Sequence, residues 1–545
     1  MKENIQEQII KLVKLALKEL GLGDSLSEGF YLEIPADNRF GDFSTNIAMR
    51  LSKALKKPPR DVAVHIIEAI ERKKGQYPLG GYLKEIKAEG AGFINFYLSE
   101  IYLREQLKDI LERGAVALKL NLGQGEPVLI EFVSANPTGS LSVAHARQAA
   151  VGDCLANVLD FLGFKVKREY YLNDEGNQIN ILGSSVELRM KELAGEKIDF
   201  PENYYQGDYI KEIARLAGER SIKPPELGDF AGNYILGIIR KELDDFGVEF
   251  DCWYSQKELG KSDKINKAFE FLKNSDFLYE QDGALWFKSS AFGDDKDRVV
   301  IKSDASYTYL APDIAYHDDK YKRGFKRLIN LWGPDHHGYI SRLKASVAAF
   351  GRDPDSLSVV IVQLATISRN GVPVQMSTRR GEYITLREVL DEVGKDAARF
   401  FFLMRRTSSH LDFDLEVAKK QTSENPVYYV QYAYARICSI LRSSAVKLDK
   451  GADLSLLKEK EELNLIKKML QLPCILETCF KSQDPYMLTV YSQELSEAFH
   501  KFYDLHRVLT DDPALTQARL ALIEGVRTVI ACGLDLLGIS KPEKM

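Results

Sequence analysis

Six cysteines in 545 residues, at Cys154, Cys252, Cys438, Cys474, Cys479 and Cys532, include no CxxC pair. Zinc ribbons and redox dithiols need such spacing, so buried reduced thiols are the expectation; Cys474 and Cys479, five apart with no histidine pair nearby, do not suit zinc. An excess of positive charge is lacking too: a formal net charge of −5 argues against a protein that coats nucleic acid through a global basic field, so any RNA contact must be local. Basic clusters at Lys53, Lys56, Lys57 and Arg60, and at Lys320, Lys322, Arg323, Lys326 and Arg327, read first as solvated faces. No apolar run approaches the ~20 residues of a membrane helix. The first twenty residues, MKENIQEQIIKLVKLALKEL, alternate charge with apolar residues as an amphipathic helix and not as a signal peptide. The cytoplasm is therefore the expected compartment. Internal repeats and low-complexity tracts are also missing.

At ~150 residues per domain the chain should hold three to four domains, and 45% hydrophobic residues supply each with a core. Residues 1–115 read as a compact α/β unit: a helix to about residue 20, a strand at GFYLEI, helices over about 45–55 and 59–72, and a strand in GFINFYL. From 127 to about 420, strands and helices alternate, which predicts a parallel sheet covered on both faces. A charged, mainly helical stretch of roughly 180–290 should be an insertion in it. After Asn425 the pattern is almost wholly helical, and YYVQYAYARICSILR and YSQELSEAFHKFYDLHRVL space aromatics as a bundle would. Most of Tyr428, Tyr429, Tyr432 and Tyr434 belong to its core; an exposed few could stack on unpaired bases.

Residues 127–172, PVLIEFVSANPTGSLSVAHARQAAVGDCLANVLDFLGFKVKREYYL, run from an apolar strand through a Pro/Gly loop into a helix and a second strand. The helix starting near Ser142 offers unpaired N–H groups and a positive dipole end, which favours an anion. Ser142 and His145 face that end together. Pro137 and Gly139 keep the loop out of helix, and Gly163 closes the helix before the next strand. Taken alone, the pattern also fits a plain structural βαβ unit.

Residues 135–145, ANPTGSLSVAH, resemble the first signature of class I aminoacyl-tRNA synthetases, and specifically the arginyl-tRNA synthetase family. That family's segment closes on His-x-Gly-His; here the positions hold Ser142, Val143, Ala144 and His145. PADNRFGDFSTNIA and GAGFINFYLS resemble the family's appended N-terminal domain, and LLGISKPEKM its anticodon-binding domain. The resemblance runs from Pro35 to Met545. It implies an α/β fold: a Rossmann-type parallel-sheet catalytic domain (116–420) with its insertion, an N-terminal α/β tRNA-binding domain (1–115) that contacts the tRNA elbow, and a C-terminal all-α helical bundle (421–545) for the anticodon.

Amino-acid activation brings a carboxylate to the α-phosphate of ATP, so a site must hold a polyphosphate, stabilise added charge and grip the side chain. Ser142 and His145 suit the first two tasks. The resemblance adds Ala135, Pro137, Thr138, Gly139, the Asp335 loop, Met376 and Ser377 toward ATP. A guanidinium is a planar fork best met by carboxylates, and Glu131 and Asp313 are the candidates. SYTYLAPDIAYH matches the family segment whose tyrosine and aspartate, four apart, hold the substrate side chain, here Tyr309 and Asp313, with Tyr307 close by. By the same resemblance Ser134 and Asn136 lie near the substrate's amino and carboxyl groups, and His145 and His337 near arginine. A metal reading of Asp335, His336 and His337 with His317 lacks regular ligand spacing.

VQLATISRNGVPVQMSTRRG reads as a hairpin turning at Asn370-Gly371, then a polar loop, then a helix opened by Thr385 with Glu388 three on. The loop corresponds to the family's second signature, Lys-Met-Ser-Lys, but holds Gln375, Met376, Ser377 and Thr378, with Arg379 and Arg380 following. Both lysines are missing. Arg379 or Arg380 is the expected substitute, with Ser377 and Arg379 counted among the catalytic residues. Phe400, Phe401 and Phe402 read as packing. The implied protein is a monomer that uses ATP with Mg²⁺ to form arginyl-adenylate and passes arginine to the 3′ end of arginine tRNA, with tRNA bound before activation. The rival readings are an RNA-binding paralogue that has lost catalysis, and an unrelated α/β nucleotidyl-transfer enzyme.

Overall fold

The computed structural model describes residues 5–22, 30–35, 37–75, 78–374 and 383–545. Its first helix, Ile5–Glu19, buries Ile9, Leu12, Val13 and Ala16, the i, i+3, i+4, i+7 stripe of one face. That stripe packs on helix Pro59–Lys74. Beside it lies an antiparallel sheet of β1 (Phe43–Thr45), β2 (Leu83–Glu89) and β3 (Phe93–Leu98), in the order β1-β3-β2. The strand expected at GFYLEI does not form over 30–34. Only Glu33 pairs, with Ser44, because β1 is three residues long and offers one free position on that edge.

The central sheet is built from β4 (Pro127–Glu131), β5 (Lys165–Leu172), β6 (Cys252–Ser255), β10 (Arg327–Trp332) and β11 (Leu357–Ile361). Its order is β11-β10-β4-β5-β6 and every pairing is parallel. Strand order therefore reverses between β4 and β10, and in open α/β sheets the crevice at the carboxyl ends of such strands is where ligands bind. Helix Val143–Phe161 links β4 to β5. It approaches β4 so closely that a Cβ on Gly152 would lie 2.3 Å from the ring of Phe132.

The stretch expected as one insertion over 180–290 is divided by β6, which returns to the edge of the sheet. Before it, helices Asn177–Leu193, Asp208–Glu219 and Leu227–Asp245 pack on one another. After it, β7 (Leu278–Gln281), β8 (Ala284–Phe287) and β9 (Arg298–Ile301) form a small antiparallel sheet.

Beyond the central sheet, β12 (Ala365–Arg369) and β13 (Val372–Pro373) form the expected hairpin. Asn370 and Gly371 have φ of 50° and 76°, the left-handed pair that a two-residue turn requires. β14 (Leu411–Asp414) adds to β12 in parallel. Helix Leu386–Leu403 opens on a reciprocal cap: Glu388 N–H donates to Thr385 Oγ1 at 3.1 Å and Thr385 N–H to Glu388 Oε2 at 2.7 Å. Phe400, Phe401 and Phe402 are buried there.

Helices Pro426–Ser443, Lys460–Met469, Leu472–Ser482, Tyr486–Leu505 and Pro513–Leu537 form the C-terminal bundle. Tyr434 is in its core, whereas Tyr432 is 37% exposed. All six cysteines are free thiols. No described helix is long and apolar enough to cross a membrane.

Candidate active site

β4 ends in strained backbone. Val133 and Ser134 both adopt positive φ, 68° and 42°, a conformation costly for any residue with a Cβ and most of all for a β-branched one. The bend brings Ser134 Oγ back to donate to Glu131 Oε1 at 3.2 Å and to accept from the Tyr171 N–H at 3.1 Å. Asn136 then meets the far end of β5: its amide donates to Gln178 Oε1 and its carbonyl accepts from Asn173, both at 2.7 Å.

Ser142 caps the next helix. His145 Nδ1 accepts the Ser142 backbone N–H at 3.2 Å and lies 3.1 Å from Ser142 Oγ. Desolvation pushes the imidazole down to about 4, so it is neutral at pH 7. With Nδ1 accepting, the proton sits on Nε2, and the ring can donate one hydrogen bond into the space before the helix.

That space is a cavity of about 660 Å³ at the carboxyl ends of β4, β5 and β10. Glu131, Ser134, Ala135, Asn136, His145, Tyr309, Asp313 and Asp335 all line it. Its charge is unbalanced. Glu131 is taken by the fully buried Lys320, whose Nζ sits 2.5 Å from Oε2 and 3.2 Å from Asn330 Oδ1. Among the described residues no cation pairs with Asp313; its Oδ2 accepts the Tyr339 hydroxyl at 2.7 Å. Burial drives the Asp313 carboxyl up to about 6, against the pull of the Tyr339 hydrogen bond, and the Glu131 charge adds to the rise. A recessed carboxylate of this kind gains most from a cation that arrives with the ligand. His317, also on the wall, is held neutral by burial, its Nδ1 on the Asp313 carbonyl at 2.9 Å and its Nε2 accepting from Asn330 at 2.9 Å.

The loop before the helix is clamped from outside. Tyr209, from the helical insertion, donates to the Thr138 carbonyl at 2.7 Å, and Tyr383 to the Ser140 carbonyl at 2.9 Å. A Cβ on Gly139 would come within 3.4 Å of both hydroxyls, hence glycine. Ser142 also forms a bridge with Thr385, and Leu386 N–H donates to the Leu141 carbonyl at 2.7 Å. The start of one helix thereby holds the start of the other.

Three family models match in order: an arginyl tRNA synthetase N-terminal domain over residues 4–98, a class I (R) tRNA synthetase catalytic domain over 106–409, and a DALR anticodon-binding domain over 430–545. The chain belongs to the arginyl-tRNA synthetase family. It is 47% identical to the arginine–tRNA ligase of Geobacter sp. (strain M21) over 560 residues, covering all of both chains. With that of Geobacillus kaustophilus (strain HTA426) the identity is 45% over 558 residues, covering 99% of each. The Thermus thermophilus arginyl-tRNA synthetase structure shares the fold at a TM-score of 0.78 and 22% identity, covering 99% of this chain and 100% of that one.

Not every residue that the family resemblance adds lines the cavity. His336, not His337, lines the cavity; both are exposed, and the tight turn Pro334–Tyr339 swings their successive side chains apart. Ser142, Pro137, Thr138 and Gly139 are not among the residues that line the cavity. Tyr309 is on the rim, 83% exposed. Gln375, Met376, Ser377, Thr378, Arg379 and Arg380 lie outside the described residues. Among the described residues no three His, Cys, Asp or Glu side chains converge to hold a metal. Sequence reasoning missed Tyr171, Asn173, Gln178 and Tyr339. Tyr171 and Asn173 lie at or just beyond the carboxyl end of β5, where the rule for parallel sheets already points, and Gln178 opens the helix that follows.

Proposed function

We propose that this chain is an arginine–tRNA ligase, activating L-arginine with ATP to arginyl-adenylate and transferring arginine to the 3′ end of arginine tRNA. The observation that carries the reading is Asp313, a recessed carboxylate that no described cation pairs with, in a cavity that also receives His145. The guanidinium would lie against Asp313, with Ser134, Asn136 and Tyr309 around the rest of the amino acid. Phosphates would lie toward the start of helix Val143–Phe161, where neutral His145 donates as charge builds. Ala135, Pro137, Thr138, Gly139 and Asp335, with Met376 and Ser377, would border the nucleotide.

Mg²⁺ fits as a cation carried by ATP: it is commonly held by one or two carboxylates plus substrate phosphates, and Asp335 is a carboxylate on the wall. The positive charge that the second signature no longer supplies through lysine is assigned to Arg379 or Arg380. In this reading residues 1–115 bind the tRNA elbow, 116–420 catalyse and 421–545 hold the anticodon, in a cytoplasmic monomer.

The test is arginine-dependent exchange of pyrophosphate into ATP, with and without arginine tRNA. Exchange that needs tRNA is the expected result. RNA binding without exchange under either condition would instead favour a binding-only paralogue, the reading that Gln375 and Thr378 support.

A further inference from the structure

Asp313 lies in the first turn of helix Leu310–Lys322, and among the described residues the one side chain that hydrogen-bonds its carboxylate comes from 26 residues downstream. Tyr339 closes the turn Pro334–Tyr339, and its ring is held between Trp332, 6.1 Å away, and the guanidinium of Arg342, 5.5 Å from its centre. The phenol stays protonated, well above its ordinary range, through burial and the Asp313 charge, so the hydroxyl is a donor. Other groups face Asp313 too: Glu131 from β4, Tyr171 from β5, and Lys320 and His317 from its own helix. Of these only Tyr339 donates to the carboxylate.

We propose that Tyr339 is a specificity-determining residue for the side-chain end of the amino acid, its hydroxyl fixing Asp313 as an ionised carboxylate that accepts a guanidinium and rejects the uncharged urea isostere. This rests on the proposed placement of arginine at Asp313. The hydroxyl occupies Oδ2 and leaves Oδ1 for the substrate. It also opposes the burial that would protonate the acid, and a protonated Asp313 would accept a urea as readily as a guanidinium.

The test is Tyr339→Phe, which keeps the ring and its packing. In tRNA-supported exchange the arginine KM should rise about tenfold, as expected for losing one hydrogen bond to a charged group, and the loss should fall on KM more than on kcat. The calorimetric affinity ratio of arginine to citrulline should fall by a similar factor, and the arginine affinity should weaken at a higher pH than in the wild type. In an Asp313→Asn background Tyr339→Phe should add nothing. An unchanged affinity ratio, or the same loss in that background, overturns the proposal. Wild-type protein that binds arginine but gives no exchange refutes the catalytic reading while calorimetry still tests Tyr339; wild-type protein that does not bind arginine overturns both.

Discussion

Replacing Arg147 by methionine should uncouple the candidate active site from the helical bundle. Arg147 lies on helix Val143–Phe161, two residues after His145, is fully buried, and has no carboxylate partner among the described residues. Burial pushes its guanidinium down to about 10. It donates instead to backbone carbonyls: Gln363 at 2.8 Å, Ser409 at 2.9 Å and Arg406 at 2.9 Å. The first of these adjoins Leu364, on the cavity wall. The other two belong to a loop that Asp484, in the turn between two bundle helices, grips from the other side through Thr407 N–H at 3.0 Å. One side chain thus joins the helix that carries His145, the cavity wall and the segment leading to the bundle.

Three charge-assisted bonds at roughly 1.5 kcal/mol each, less the relief of no longer burying an ion, leave a net loss of about 3 kcal/mol. The carbonyls would remain buried without donors, which methionine cannot mend. For a unit the size of residues 116–420 that corresponds to a drop of roughly 5 °C in melting temperature. A multidomain chain need not melt in two states, so hydrogen exchange should locate the effect: the amides of 363–366 and 405–411 should lose protection ahead of the rest. Arg147→Lys, with one compact donor group, should fall between. A methionine variant melting within about 2 °C of the wild type, or losing protection uniformly, would refute the reasoning.

Glu242, 4% exposed with Oε2 3.4 Å from the Leu141 N–H, has its carboxyl pushed up to about 7 by burial. The folded state therefore favours the acid form, a contribution complete below the ordinary carboxyl range and lost as pH rises through about 7. Glu242→Gln should melt like the wild type at pH 5 and exceed it at pH 8 by about 2 kcal/mol; an equal offset at both would refute this. Gly152→Ala would drive a methyl into Phe132, which is fully buried and packed on Phe250 at 4.5 Å, and should cost about 3 kcal/mol in thermal melts; a neutral result would mean that the ring can yield. Lys320→Met strands Glu131 in the cavity wall and should destabilise the free protein by about 3–5 kcal/mol. Saturating arginine should then raise its melting temperature more than that of the wild type, because the substrate supplies the missing cation; an equal shift would place Glu131 out of reach.

What could be read in advance was what short-range chemistry controls. Asn370-Gly371 demanded a left-handed turn, Thr385 with Glu388 spelled a helix start, and Ser142 opened a helix after a Pro/Gly loop; each element appears where its residues placed it. β6 was invisible for the opposite reason. Four residues carry no periodicity, and its partner in β5 lies some eighty residues upstream, across three helices. The same distance problem hid Tyr339, whose hydroxyl matters only because two chain segments meet at Asp313.

The pair of carboxylates shows where pattern reasoning gives way to electrostatics. Glu131 and Asp313 were both expected to meet a guanidinium, and both do border the cavity. Two like charges in one low-dielectric wall cannot both stay ionised without help, and one would protonate. Lys320 removes the conflict by neutralising Glu131, with Asn330 steadying its ammonium. Asp313 is then the carboxylate with unmet demand. Glu131 contributes through Ser134, which it holds in the strained turn at the end of β4. Neither Lys320 nor Asn330 stands out in the sequence, since a lysine within KYKRGFKR reads as a solvated basic face. Only the fold shows that this lysine points inward, and with it which of the two acids is already neutralised.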